Sequence, residues 1–300
     1  LLTGIHFLLT YACTFECDHC FLYCSPFSEG TFTINQVKQI YDETDKIGTI
    51  DTIYIEGGEA FLYYPLMVEG ARLAKEKGYK LGIVTNAYWA NSVADAELWL
   101  KPLVDIGIDD FSVSDDEFHQ GDSGVNTAQI AAEAAKNLGL PSYSIRIDKP
   151  VVSYPKTDDD KKGNPVIGGG AMFRGRAVEK LTPGLPTHPC NKFIECPHEE
   201  LVEPKRVHID PMGTVHICQG ISMGNIWKTP LSELVKNYDA TNHPICGPLV
   251  EGGPLRLAET YNVPHRDEYV DECHFCYEVR KALIDRFPEY LTPRQVYGLE

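Results

Sequence analysis

Three cysteines near the start, Cys13, Cys17 and Cys20, are spaced C-x3-C-x2-C within the stretch "YACTFECDHCFLYC". A short loop can turn three such thiols toward one point, and soft thiolates select iron-sulfur clusters or zinc. Three ligands leave one corner of a tetrahedral or cubane site open for chemistry, whereas Cys24 would close it as structural zinc. The remaining cysteines, Cys190, Cys196, Cys218, Cys246, Cys273 and Cys276, come much later. Gly213 and Cys218 form G-x4-C there, and "CHFC" supplies Cys273 and Cys276. Two ligands near a hairpin and a C-x2-C at a helix start can converge on a second locus, either a cluster or a zinc ribbon.

The elements that must position these groups alternate in type. "IHFLL", "TIYIE", "KLGIVT", "DDFSVS" and "YSIRI" read as strands, separated by helical-period runs such as "INQVKQIYDETDKIG" and "NTAQIAAEAAKNLG". Strands alternating with crossover helices predict a parallel sheet with helices packed outside it. The first cysteine loop then follows the first strand, and Gly57, Gly58 and Glu59 follow the second on the same edge, where paired glycines allow close approach to the main chain. Strand alternation puts Ser112 and Ser114 on one face. The segment "DKPVVSYPKTDDDKKGNPVIGGG" reads as a surface loop or a lid, and "AMFRGRAVEKL" as a strand end running into a helix. "RVHIDPMGTVHIC" reads as a hairpin followed by mainly helical chain.

Length, charge and hydropathy narrow the class. A chain of 300 residues with 43% hydrophobic residues and a net charge of -16 reads as soluble and globular. The acid surplus repels phosphate backbones and anionic lipid, which argues against nucleic-acid and membrane partners. No apolar run approaches the roughly 20 residues of a membrane span, and the start lacks the basic flank and cleavage site of a signal peptide. Cysteine-rich chemistry without a secretion signal points to a reducing, cytoplasmic compartment.

The C-x3-C-x2-C after the first strand, followed by "GGE" after the second, resembles the signature of the radical S-adenosylmethionine (radical SAM) superfamily across roughly residues 3 to 180. The resemblance implies an α/β fold, a partial (β/α)6 TIM-type barrel. It also implies a 4Fe-4S cluster held by Cys13, Cys17 and Cys20, with S-adenosylmethionine on the unique iron. By the same resemblance Gly57, Gly58 and Glu59 meet the methionine amino group, and His19 replaces the usual aromatic beside the adenine. Ser112, Ser114, Asp115, Thr85 and Asn86 lie where relatives present polar groups to the cofactor. Arg146, in the fifth strand, would meet the methionine carboxylate, with Arg174 or Arg176 as alternatives. Asp116, Glu117 and His119 are candidate substrate contacts.

The second cysteine group is similar to the twitch extension, a shortened SPASM domain, which divides the chain into a barrel at 1–184 and a cluster-binding extension of hairpin and helices at 185–300. This likeness implies one auxiliary 4Fe-4S cluster on Cys196, Cys218, Cys273 and Cys276, with Cys190 as the rival of Cys196. Cys24 and Cys246 are expected to be buried thiols. The expected activity is an oxygen-sensitive, anaerobic radical enzyme that oxidises or cross-links a small molecule or matures a peptide, fed by a donor such as ferredoxin or flavodoxin. Peptide maturation ranks second here, because no room for an added leader-binding domain is visible before the first strand. A non-catalytic metal carrier is the remote alternative.

Overall fold

The computed structural model describes residues 1–120, 124–154 and 165–299. Its first half alternates strand and helix: β1 Gly4–Leu8, α1 Ile34–Ile47, β2 Thr52–Glu56, α2 Tyr64–Glu76, β3 Lys80–Thr85, α3 Val93–Ile106, β4 Asp110–Ser114, α4 Glu117–Gln120, α5 Thr127–Asn137 and β5 Ser142–Ile145. The elements β6 Val151–Ser153, β7 Val166–Gly168, α6 Arg176–Leu181, β8 His188–Pro189, β9 Arg206–Ile209, β10 Thr214–Cys218 and β11 Ile221–Asn225 follow. The chain then runs through α7 Leu231–Asn237, α8 Cys246–Tyr261, β12 Glu268–Tyr269 and α9 Glu272–Leu283.

The central sheet has the order β11-β10-β9-β1-β2-β3-β4-β5. Strands β1 to β5 run parallel, as the alternation predicts, and β9 pairs parallel with the free side of β1. The β9–β10 hairpin is formed as expected, and β10 pairs antiparallel with β11. One face of the sheet is apolar: Ile5, Phe7, Ile53, Ile55, Leu81, Ile83, Phe111 and Val113 are buried against the helices. Each such side chain contributes about 1.5–3 kcal/mol by leaving water. Thr33 caps α1 through a capping box with Gln36, and Gly48 ends that helix at φ 73°.

Two expectations differ from the structure. A sixth barrel strand at "AMFRG" is not formed, because this segment packs its backbone on the first cysteine loop instead of a strand edge. Gly175 has φ 63°, a Cβ there would stand 2.5 Å from the Phe21 Cα, and the Arg176 amide donates to the Cys20 carbonyl at 2.9 Å. The segment read as loop carries the antiparallel β6–β7 ribbon, while its charged centre, residues 155–164, lies outside the described residues. Among the described residues no helix is long and apolar enough to cross a membrane.

Candidate active site

The first cysteine loop leaves the C-terminal end of β1 and is stitched to the end of β2. The Gly58 amide donates to the Thr10 carbonyl at 2.7 Å and the Glu59 amide to the Ala12 carbonyl at 2.9 Å. A Cβ on Gly58 would lie 2.2 Å from the Ala12 oxygen, so the glycine pair serves first to admit this loop's own main chain. Glu59 is buried, accepting from the Phe61 amide and the Thr85 hydroxyl at 2.9 Å and from the Asn86 amide at 2.7 Å. Burial, against those hydrogen bonds, pushes its carboxyl up to about 7.

Cys13, Cys17 and Cys20 lie close enough for their charges to interact. Burial pushes the Cys13 thiol up to about 12 and the Cys17 thiol higher still, so a metal is what would hold them as thiolates. Cys24 is hydrogen-bonded to Cys20, which lowers Cys20 and raises Cys24. Asn86 donates to the Cys13 sulfur at 3.5 Å and to the Thr14 hydroxyl at 3.1 Å. His19 packs on Phe118 with ring centroids 4.7 Å apart and edge-on to His119 at 5.3 Å. Burial lowers His19 to about 4, and its Nδ1 is buried with no hydrogen-bond partner among the described residues. A neutral ring with an orphaned nitrogen beside three thiols fits an adenine-bearing cofactor.

The other positions divide. Ser112 and Ser114 share the inner face of the sheet, and Ser112 donates to Asp110 at 2.8 Å. Asp115 accepts from Asn126 at 2.9 Å. Asp116 is buried and bonded to His119 at 2.7 Å, beside the His19 ring, whereas Glu117 is exposed and pairs with Lys149. Arg146 follows β5 rather than lying within it. Register sets Tyr143 and Ile145 beside Ser112 and Ser114, so Arg146 falls on the opposite parity, exposed and bonded to Asp148 at 2.8 Å. Arg176 is buried beneath the loop, donating to the Cys17 and Cys24 carbonyls, both at 2.8 Å.

Four cysteines of the second group, Cys196, Cys218, Cys273 and Cys276, line one pocket together with Arg174 and Arg280. Arg174 donates to the Cys218 sulfur at 3.1 Å and to Glu199 at 3.1 Å, and its buried Nε has no hydrogen-bond partner among the described residues. Arg280 is buried and donates to the Gln219 carbonyl at 2.8 Å. Gly213 turns the hairpin at φ 88° beneath Trp227, and Gly253 lets α8 meet the Glu195 backbone next to Cys196. Cys190 is outside that pocket lining, its amide bonded to the Asp267 carbonyl at 2.8 Å. Cys246 and Cys24 are buried, as expected. Sequence reasoning missed Arg280 and Glu199, although both were within local reach: Arg280 follows Cys276 by four residues on α9 and donates to its carbonyl, and Glu199 follows Cys196 by three.

The sequence pattern of the Radical SAM superfamily matches residues 7–160, just over half of the chain. The Bacillus subtilis (strain 168) protein named "Putative peptide biosynthesis protein YydG" is 26% identical over 251 residues, 83% of this chain and 71% of that protein. "Putative glycyl-radical enzyme activating enzyme MJ1632" of Methanocaldococcus jannaschii is 33% identical over 88 residues, 29% of this chain and 33% of that protein. Among solved structures, BtrN in complex with AdoMet and 2-DOIA superposes with a TM-score of 0.51 at 16% identity, over 79% of this chain and 83% of that one, a likeness of fold. With its cysteine loop at the β1 edge and its mostly parallel sheet, the chain belongs to the Radical SAM superfamily, which makes it an enzyme of S-adenosylmethionine and a 4Fe-4S cluster.

Proposed function

We propose that this enzyme modifies a peptide by radical chemistry, with Cys13, Cys17 and Cys20 holding the S-adenosylmethionine cluster and one auxiliary 4Fe-4S cluster on Cys196, Cys218, Cys273 and Cys276. The observation that carries the first part is the convergence of the C-x3-C-x2-C thiols beside Glu59, Asn86 and the unpartnered His19 nitrogen. When bound, cluster and cofactor supply reductive cleavage to a 5′-deoxyadenosyl radical that takes a hydrogen atom from substrate. The protein's part is positional. Glu59, held between β2 and β3, offers a carboxylate to the methionine ammonium. His19 flanks the adenine, and the inner-face Ser112 and Ser114, with Asp115, are offered to the ribose. Asp116 and His119 stand where a substrate would approach.

For the second locus, spacing favours a cluster over zinc. Among the described residues no three cysteine sulfurs lie within 4.8 Å of one another, whereas tetrahedral zinc with 2.3 Å bonds needs sulfurs about 3.8 Å apart. A cluster on four thiolates is anionic, and the buried guanidiniums of Arg174 and Arg280 compensate it. Full ligation assigns this cluster to electron transfer, with a ferredoxin- or flavodoxin-type protein as external donor in an anaerobic cytoplasm. The domain boundary near residue 184 belongs to the same reading, with β9 joining the extension to the barrel sheet.

Similarity to YydG across most of the chain moves the peptide reading ahead of small-molecule oxidation. Anaerobic reconstitution should yield about eight irons per chain, against about four for a single cubane. Dithionite should then drive 5′-deoxyadenosine formation. Deuterium from a fully deuterated peptide fraction should appear in the 5′-deoxyadenosine. Deuterium transferred only from a matched small-metabolite fraction would overturn the peptide reading.

A further inference from the structure

The inner face of the sheet holds an ionisable cluster that the cysteine chemistry does not use. His6 on β1 lies opposite His208 on β9 and opposite Tyr54 on β2, with Glu56 at the end of β2. The Glu56 Oε1 is 3.2 Å from the His6 Nδ1 and 3.0 Å from the His208 Nε2. All three ligand atoms lie within 4.8 Å of one another, although the residues come from distant parts of the chain. Among the described residues neither lysine nor arginine pairs with Glu56; its ionic partners are these two imidazoles.

The cluster is held rigidly. Tyr54 stacks on His6 with centroids 4.7 Å apart and planes 21° apart, and His208 meets His6 edge-on at 4.8 Å. Tyr54 is fixed in turn by its hydroxyl, which donates to Asp110 at 2.9 Å, and by Gly82, where a Cβ would lie 2.2 Å from the ring. A glycine, a tyrosine and an aspartate thus lock one imidazole. Burial opposes ionisation of Glu56, but the hydrogen bonds from His208 and His6 outweigh it and keep the carboxyl well below its usual range. Burial also lowers His208, so its ring gives up readily the proton that Nε2 shares with Glu56, leaving that nitrogen free for a metal ion. His6 opens onto a pocket lined by Gly4, Thr52 and Arg206 at the starts of β1, β2 and β9 and by His198 and Glu199, which also line the second cysteine pocket.

We propose that His6, Glu56 and His208 bind a divalent, zinc-class metal ion through His6 Nδ1, Glu56 Oε1 and His208 Nε2, with a fourth position toward that pocket. Two imidazoles and one carboxylate are a known zinc donor set, and bonds of about 2.1 Å place such ligand atoms about 3.4 Å apart, close to the 3.2 and 3.0 Å that separate Glu56 Oε1 from the two ring nitrogens. The ion ties β9 to β1 and β2. Because β1 leads to the first cysteine loop and β10, after β9, ends at Cys218, it braces both cysteine loci from behind.

The test uses full-length protein with its iron-sulfur clusters reconstituted and counted, so that the cluster thiols are occupied. Zinc titrated into this protein should bind at one equivalent per chain, and Glu56→Gln and His208→Gln should each weaken it at least tenfold with iron content unchanged. Zinc K-edge absorption should show nitrogen and oxygen neighbours at about 2.0–2.1 Å. Equal zinc binding by wild type and both variants, a sulfur shell near 2.3 Å, or no binding by the cluster-filled wild type would overturn the proposal. The wild-type spectrum separates a sulfur from a nitrogen and oxygen shell even if a variant fails to fold, and His119→Gln should leave zinc binding unchanged, which separates this site from the His19, Asp116 and His119 group.

Discussion

Arg176 gives the sharpest test of how the first cysteine loop is held. Its guanidinium donates two 2.8 Å hydrogen bonds, to the Cys17 and Cys24 carbonyls, and lies 5.2 Å over the Tyr23 ring. The side chain is buried, so Arg176→Met keeps the apolar stem while leaving two buried carbonyls without their charged donors. Each charge-assisted bond is worth about 1.5–3 kcal/mol, partly offset because the variant no longer has a guanidinium to desolvate on folding, for a net loss of about 3–5 kcal/mol. Against a total stability of about 5–15 kcal/mol this should lower the thermal midpoint on the order of 10 °C. Arg176→Lys, reaching one carbonyl, should recover about half. Because those carbonyls flank the C-x3-C-x2-C thiols, the methionine variant should also lose iron and 5′-deoxyadenosine formation after desalting. Melting by circular dichroism with an iron count on the same samples is the assay. A variant within about 0.5 kcal/mol of wild type and fully loaded with iron would refute the claim that this guanidinium anchors the loop.

Three further outcomes follow from the geometry. Gly58→Ala puts a methyl 2.2 Å from the Ala12 oxygen, so the loop must shift and S-adenosylmethionine cleavage should fall at least tenfold, measured as 5′-deoxyadenosine per iron. Arg174→Met removes a buried cation 3.1 Å from the Cys218 sulfur. Iron should drop from about eight toward about four per chain while cofactor cleavage persists; unchanged iron would count against an anionic cluster there. Glu59 is held up to about 7 by burial. Its charged form is therefore lost as pH falls through neutrality, and cofactor affinity should weaken about tenfold per pH unit below about 7 and level off above it. Equilibrium dialysis against pH should show this step in wild type and not in Glu59→Gln.

The linear chain carried the chemistry proposed for the first site because the ligands proposed for it are local. Cys13, Cys17 and Cys20 sit on one loop, and "GGE" ends the neighbouring strand, so short-range spacing and strand alternation place them together before any packing is known. The five parallel strands were legible for the same reason, since period and turn signals are local. What needed the tertiary structure was every decision set by parity or by distance along the chain. Arg146 faces away because the β4–β5 register gives the inner face to Tyr143 and Ile145. The expected sixth strand is spent on packing Gly175 against Phe21. Arg174 reaches Cys218, and His208 reaches His6, only after folding brings β9 and β10 beside β1. Residues some 200 positions apart leave no periodic trace in a sequence, and burying their charges is tolerable only where the completed fold supplies a partner.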